Sequence, residues 1–124
     1  MSKQVLNVGQ CGFDHASITE FLRSHFDVSV TAAADESEAL SALQHQSFDL
    51  VLVNRKFDRN GADGVAFIRT LCNDGNSPPV MLVSNFPEAQ DDAVAAGARP
   101  GFGKSDYGNA EAIDRLSNVL QQED

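Results

Sequence analysis

The run Phe48-Asp49-Leu50-Val51-Leu52-Val53 stops abruptly at Asn54, and no other stretch of the chain constrains the fold as strongly. Consecutive apolar residues from Leu50 to Val53 leave no polar face, so a strand built from them must be covered on both sides, as in a parallel sheet. Comparable runs recur. Val5-Leu6-Asn7-Val8 leads into Gly9-Gln10, Pro79-Val80-Met81-Leu82-Val83 ends in Ser84, and the short Gly101-Phe102-Gly103 ends in Lys104. Helical patterns lie between these runs, and the alternation is that of an α/β domain with helices on both faces of a parallel sheet. The C-terminal ends of parallel strands share one edge, so Asn54, Ser84 and Lys104 are expected to converge on a single crevice.

Five strands and five helices can be placed. Asp14 reads as the cap of a first helix, whose Ile18, Phe21, Leu22 and Phe26 repeat at helical spacing. Val28 to Ala32 reads as the second strand. Asp35 and Glu38 then form an approximate capping box before Ala39, Leu40, Ala42 and Leu43, the expected inward face of a helix ending near Gln46. After Asn54 comes a charged, glycine-bearing loop, Arg55 to Gly64, and then a helix with Val65, Ile68, Leu71 and Cys72 as its apolar stripe. Asn73 to Pro79 stops that helix. Pro87-Glu88 opens a fourth helix lined by the small residues Ala89, Ala93, Val94 and Ala96, and Gly97 can close it with a left-handed cap. The last helix, Asn109 to Gln121, is expected to bury Ile113, Leu116 and Leu120.

With 124 residues, positions 1–124 fit one domain. A net charge of -9 argues against nucleic acid or an anionic membrane as the main partner and favours proteins or cations. Cys11 and Cys72 lack metal-ligand spacing, the N-terminal residues have no signal-peptide pattern, and no apolar run approaches the roughly 20 residues needed to cross a bilayer. A cytoplasmic setting is expected. Gln121 to Asp124 reads equally as a natural end or the start of a linker.

With its strand ends placed, the chain resembles the receiver domain of two-component response regulators, the CheY-like, flavodoxin-type (βα)5 fold with strand order 2-1-3-4-5. The resemblance runs through Phe48 to Asn54, Asp63-Gly64 leading to Phe67-Ile68-Arg69, Pro79 to Ser84, and Ala96-Gly97-Ala98 followed by Lys104. In that family an acidic pair after strand one holds Mg²⁺ and an aspartate ending strand three is phosphorylated, while a Thr/Ser and a Lys contact the phosphoryl group. The resemblance puts Gly9 and Gln10 at the metal positions, Asn54 at the phosphoacceptor, and Ser84 and Lys104 at the phosphate contacts. Without carboxylates a hard cation loses most of its attraction, so no cofactor is expected and Mg²⁺ binding should be weak or absent. An amide is also a poor nucleophile for phosphoryl transfer. The aromatic switch position falls on Gly101, with Phe102 adjacent, and the proline expected after the lysine is Ser105.

The resemblance thus implies a degenerate receiver in phosphorelay signalling: not an enzyme, independent of phosphorylation, and acting by protein–protein interaction. Its partner would be a histidine kinase or an output domain, with the helix 4, strand 5 and helix 5 side as the contact surface, also usable for a homodimer. Two alternatives stand beside it. One is phosphorylation at a displaced acid such as Asp58, which with Asn60 and Asp63 could instead bracket a cation. The other is a small anion- or nucleotide-binding enzyme using Lys104 and Ser84, because Ala98 to Ser105 matches a relaxed phosphate-loop pattern, provided a helix follows at once.

Several polar groups have simpler roles. Lys104 is expected to hydrogen-bond the Asn54 amide oxygen, Ser84 to bond nearby backbone, and Gln10 to face solvent. Cys11 sits where a thiol phosphatase carries its nucleophile, but Ser17 replaces the required arginine, so the thiol reads as part-buried and inert. His15, His25 and His45 share no ligand spacing and are assigned to separate helices at the surface.

Overall fold

The computed structural model describes residues 2–121. Of the tail Gln121 to Asp124, read above as an end or a linker, Gln122 to Asp124 lie outside the described residues, as does Met1. In chain order the elements are β1 (Lys3–Val8), α1 (Gly12–His25), β2 (Val28–Ala33), α2 (Glu36–His45), β3 (Leu50–Asn54), α3 (Gly64–Asn73), β4 (Val80–Val83), α4 (Pro87–Ala95), β5 (Arg99–Phe102) and α5 (Ala110–Leu120). The strands form one parallel sheet of order β2-β1-β3-β4-β5, as expected for a flavodoxin-like α/β domain.

Strand alternation divides the core into two layers. Val5, Leu50, Leu52, Met81, Val83 and Phe102 face α1 and α5, meeting Ile18, Phe21, Leu22, Leu116 and Leu120. Leu6, Val8, Val51, Val53, Val80 and Leu82 face the other way, toward Ala39 of α2, Phe67, Ile68 and Leu71 of α3, and Ala93 of α4. The apolar runs are continuous because both sheet faces are covered.

Several local expectations change. The N-cap of α1 is Cys11, in extended conformation, whose Sγ accepts the Asp14 N–H at 3.4 Å; Asp14 therefore lies inside the first turn, and its carboxylate is not used as the cap. At α2 the box is displaced: Asp35 accepts from Glu38 N at 2.9 Å, while the Glu38 carboxylate accepts from Ala34 N at 3.0 Å. Arg59, from the β3–α3 loop, donates to both acids at 3.0 and 2.7 Å. Leu40 and Val94, placed on inward faces by the sequence, are exposed at 40% and 44%. On α5, Ala112 and Val119 are buried while Ile113 is only partly so. His15 and His25 share α1 rather than occupying separate helices, and His15 is half-buried, its Nδ1 3.0 Å from Nδ2 of the buried Asn7 on β1. Gly97 closes α4 in the left-handed region, at φ 117°, as expected.

Candidate functional site

Asn54 ends β3 and turns its side chain back toward β1. Its Nδ2 donates to Gly9 O at 3.0 Å and to Lys56 O at 2.7 Å, so both amide hydrogens are used on backbone carbonyls. Gly9 O also accepts from Asp58 N at 2.9 Å, which draws the β3–α3 loop across the end of β1. That loop is a closed turn: Phe57 N donates to Ala62 O at 2.9 Å, and Gly61 N to Phe57 O at 2.7 Å. Its apolar member, Phe57, is only 1% exposed and packs edge-on against Phe67.

The Phe57 ring stands where a side chain at position 9 would go. A Cβ on Gly9 would lie 2.3 Å from Phe57 Cδ1, and Gly9 adopts φ 82°, a conformation that disfavours any other residue. Gln10 does not face solvent as expected; its Oε1 and Nε2 are enclosed and have no hydrogen-bond partner among the described residues. Asp58 is exposed, whereas Asn60 accepts from Ala62 N at 3.0 Å and Asp63 caps α3 through Val65 N at 2.9 Å. The last two are thus engaged with their own backbone.

Lys104 does not meet Asn54. Its Nζ donates to Asp14 Oδ2 at 2.6 Å, an ion pair joining α1 to the β5–α5 loop with both side chains largely covered. The lysine hydrogen bond holds the Asp14 carboxyl below its ordinary value, against the opposing effect of burial. Tyr107 lies beside this pair, stacked on Phe21 with ring centroids 5.0 Å apart, and its hydroxyl has no partner among the described residues. Burial first, and the Asp14 charge second, push the phenol up to about 12.

Ser84, 7% exposed, accepts from Phe86 N at 3.1 Å, the local backbone bond expected of it. The next residue, Asn85, latches two loops: its Oδ1 accepts from Ser105 N at 3.1 Å and from Ser105 Oγ at 3.0 Å. The phosphate-loop reading of Ala98 to Ser105 does not survive, because Arg99–Phe102 is strand and residues 103–106 form a turn. The following helix begins only at Ala110. Half-buried Cys11 serves as the α1 cap.

The crevice therefore gathers Gly9, Gln10 and Asn54, with Lys104 drawn to Asp14 and Ser84 tied to its own loop. Sequence reasoning missed Asp14, Phe57, Asn85 and Tyr107. The available signal was their place in segments that directly follow strand ends, which a parallel sheet brings to one edge.

A family model described as the response regulator receiver domain matches residues 14–104. A comparison with curated proteins finds no match. Among solved structures, a response regulator from Thermotoga maritima superimposes with a TM-score of 0.78 at 19% identity, covering 98% of this chain and 100% of that one. The signal receiver domain of a DNA binding response regulator protein (merR) from Colwellia psychrerythraea 34H gives 0.79 at 18% identity, with the same coverage of 98% and 100%. NtrX from Brucella abortus gives 0.81 at 20% identity over 98% of this chain but only 27% of its own length. At these identities the structural likeness speaks for the fold.

Proposed function

Because the chain belongs to the response regulator receiver domain family, we propose that it serves two-component signalling as a degenerate receiver, independent of aspartyl phosphorylation and acting through protein contacts. The observation that carries this reading is the geometry of Asn54. One nitrogen feeds two backbone carbonyls, Gly9 O and Lys56 O, so the position equivalent to the phosphoacceptor is built around a donor. A carboxylate there would set its oxygen against two other oxygens. The amide is an integral part of the crevice.

The rest of the crevice supports the same reading. Lys104, at the phosphate-contact-equivalent position, already has an anionic partner in Asp14, and Ser84 is engaged by Phe86 N. The metal-site-equivalent positions do not fit Mg²⁺, which favours hard oxygen ligands anchored by carboxylate. Gly9 offers no side chain and is overlaid by Phe57, and Gln10 and Asn54 are amides. A nucleotide enzyme built on Lys104 and Ser84 gains no support from a lysine already neutralised and a helix that starts only at Ala110.

The partner is then a histidine kinase or an output domain, met on the side formed by α4, β5 and α5. The test is incubation with acetyl phosphate and Mg²⁺ followed by intact-mass measurement. The expected result is an unmodified mass. A stoichiometric phosphoryl adduct, whether on Asp58 or on Asp14, would overturn the reading.

A further inference from the structure

Gln90 of α4 reaches into the sheet at the junction of β4 and β5. Its Nε2 donates to Leu82 O at 2.9 Å and Ser84 O at 3.1 Å, with Phe102 O more distant at 3.4 Å, and its Oε1 accepts from Gly101 N at 3.1 Å. Chemistry fixes the orientation of the amide, since the nitrogen meets only carbonyls and the oxygen meets an N–H. The site coincides with an irregularity in the ladder. Met81 pairs with Arg99 and Val83 with Phe102, so between them Leu82 alone faces both Pro100 and Gly101. Such a bulge interrupts the strand-to-strand bonds, and here a helix side chain supplies a donor and an acceptor in their place.

Gly101 makes the insertion sterically possible. A Cβ there would lie 2.1 Å from Leu82 O and 3.0 Å from Gln90 Oε1. From the opposite face, Arg115 of α5 donates through Nη1 to Gly101 O at 2.6 Å. The N–H and the carbonyl of one β5 residue are therefore held by side chains from the two flanking helices. For α4 this tie matters more than usual. The helix has nine residues, its N-cap Phe86 makes no side-chain bond, and the apolar residues it packs into the core are Ala89 and Ala93.

We propose that Gln90 is a positioning residue that plugs the β4–β5 bulge and holds α4, β5 and α5 in one arrangement, so that this face is permanently formed rather than switched. The inference deepens the reading of a phosphorylation-independent binding module and rests on it for its purpose. Displacing α4 would leave Leu82 O and Gly101 N without these partners, and that cost keeps the helix seated.

Amide hydrogen exchange followed by NMR on the wild-type protein, Gln90→Ala and Gln90→Glu provides the test, with β1 amides as the internal reference. In Gln90→Ala the Gly101 amide and those of Asp91 to Ala95 should exchange about tenfold faster, the scale of one net hydrogen bond, while β1 is unchanged. Gln90→Glu keeps an acceptor for Gly101 N at neutral pH but cannot donate to the carbonyls, so α4 protection should fall at neutral pH and return once the carboxyl is protonated. Wild-type protection of Gly101 and α4 in Gln90→Ala would overturn the proposal. If Gln90→Ala loses protection everywhere, Gln90→Glu decides, and α4 protection that does not respond to its titration overturns it. A phosphoryl adduct on the wild-type protein would instead refute the functional reading and leave this exchange pattern intact.

Discussion

Replacing Gly9 tests whether the end of β1 has been rebuilt rather than merely stripped of its acid. In Gly9→Ala the backbone must hold a left-handed conformation with a Cβ, costing about 1–2 kcal/mol. The new methyl would also sit 2.3 Å from Phe57 Cδ1, and the ring, 1% exposed and backed by Phe67, has little room to retreat. Overpacking of this kind costs about 1–3 kcal/mol, so the expected total is about 2–5 kcal/mol. For a chain of 124 residues, unfolding entropy of about 2 cal/mol/K per residue turns that into a fall in Tm of roughly 8–20 °C. Urea titration with circular dichroism detection measures the free energy directly. The same substitution in a Phe57→Ala background should cost only the backbone share of about 1–2 kcal/mol, leaving a coupling of about 1–3 kcal/mol between the two positions. The reasoning is refuted if Gly9→Ala costs less than about 1 kcal/mol, or if its cost is the same with and without the ring. If the coupling holds, adding aspartates at positions 9, 10 and 54 will not by itself recreate a metal site, because Phe57 stands in it.

Asn54→Asp should lose about 1–3 kcal/mol at pH 7, as the part-buried Gly9 carbonyl and the exposed Lys56 carbonyl lose their donor and face a carboxylate. Its folded-state carboxyl should hold its proton more tightly than the unfolded one, so the deficit shrinks as pH falls from neutral toward the unfolded carboxyl value of about 4 and changes little below it; equal stability of mutant and wild type at pH 7 would contradict this. Tyr107 is the only tyrosine, so an absorbance titration reads it alone and should give a midpoint near 12, moving down in Asp14→Asn; a midpoint at the ordinary value would refute the buried placement. Asp14, held below its ordinary value by Lys104, stabilises the fold above the unfolded carboxyl pKa and loses that contribution as pH falls through the folded one. Asp14→Asn should therefore be less stable at pH 7 by up to about 1 kcal/mol and should show less acid destabilisation than the wild type, as denaturant titrations at several pH values can check.

Much of this architecture was legible because strands covered on both faces write themselves as unbroken apolar runs. Leu50 to Val53 and Val80 to Val83 could hardly be anything else, and the sheet order followed from the family resemblance they carried. The positions at the crevice were legible too, since strand ends fix them. Their partners were not. Asp14 looked like a helix cap, and only the structure frees its carboxylate for Lys104, 90 positions along the chain. Phe57 sat in a stretch whose charge and glycines announced an exposed loop, and nothing local indicates that its ring turns inward over Gly9. Nothing in the sequence separates Gln90 from any other polar residue on a helix lined by alanines. These contacts depend on three-dimensional proximity, for which a single sequence carries no periodic signal.

The bulge at Gly101 has a consequence for self-association. β5 is an outer strand of the sheet, and an unprotected outer strand invites other chains to extend it. This one is four residues long, irregular in register, and carries an exposed charge at Arg99 and an exposed Pro100 with no N–H to offer. It makes a poor template for a further strand. Whatever docks on this side of the molecule is left to do so through side chains, and copies of the protein are discouraged from zipping together along their backbones.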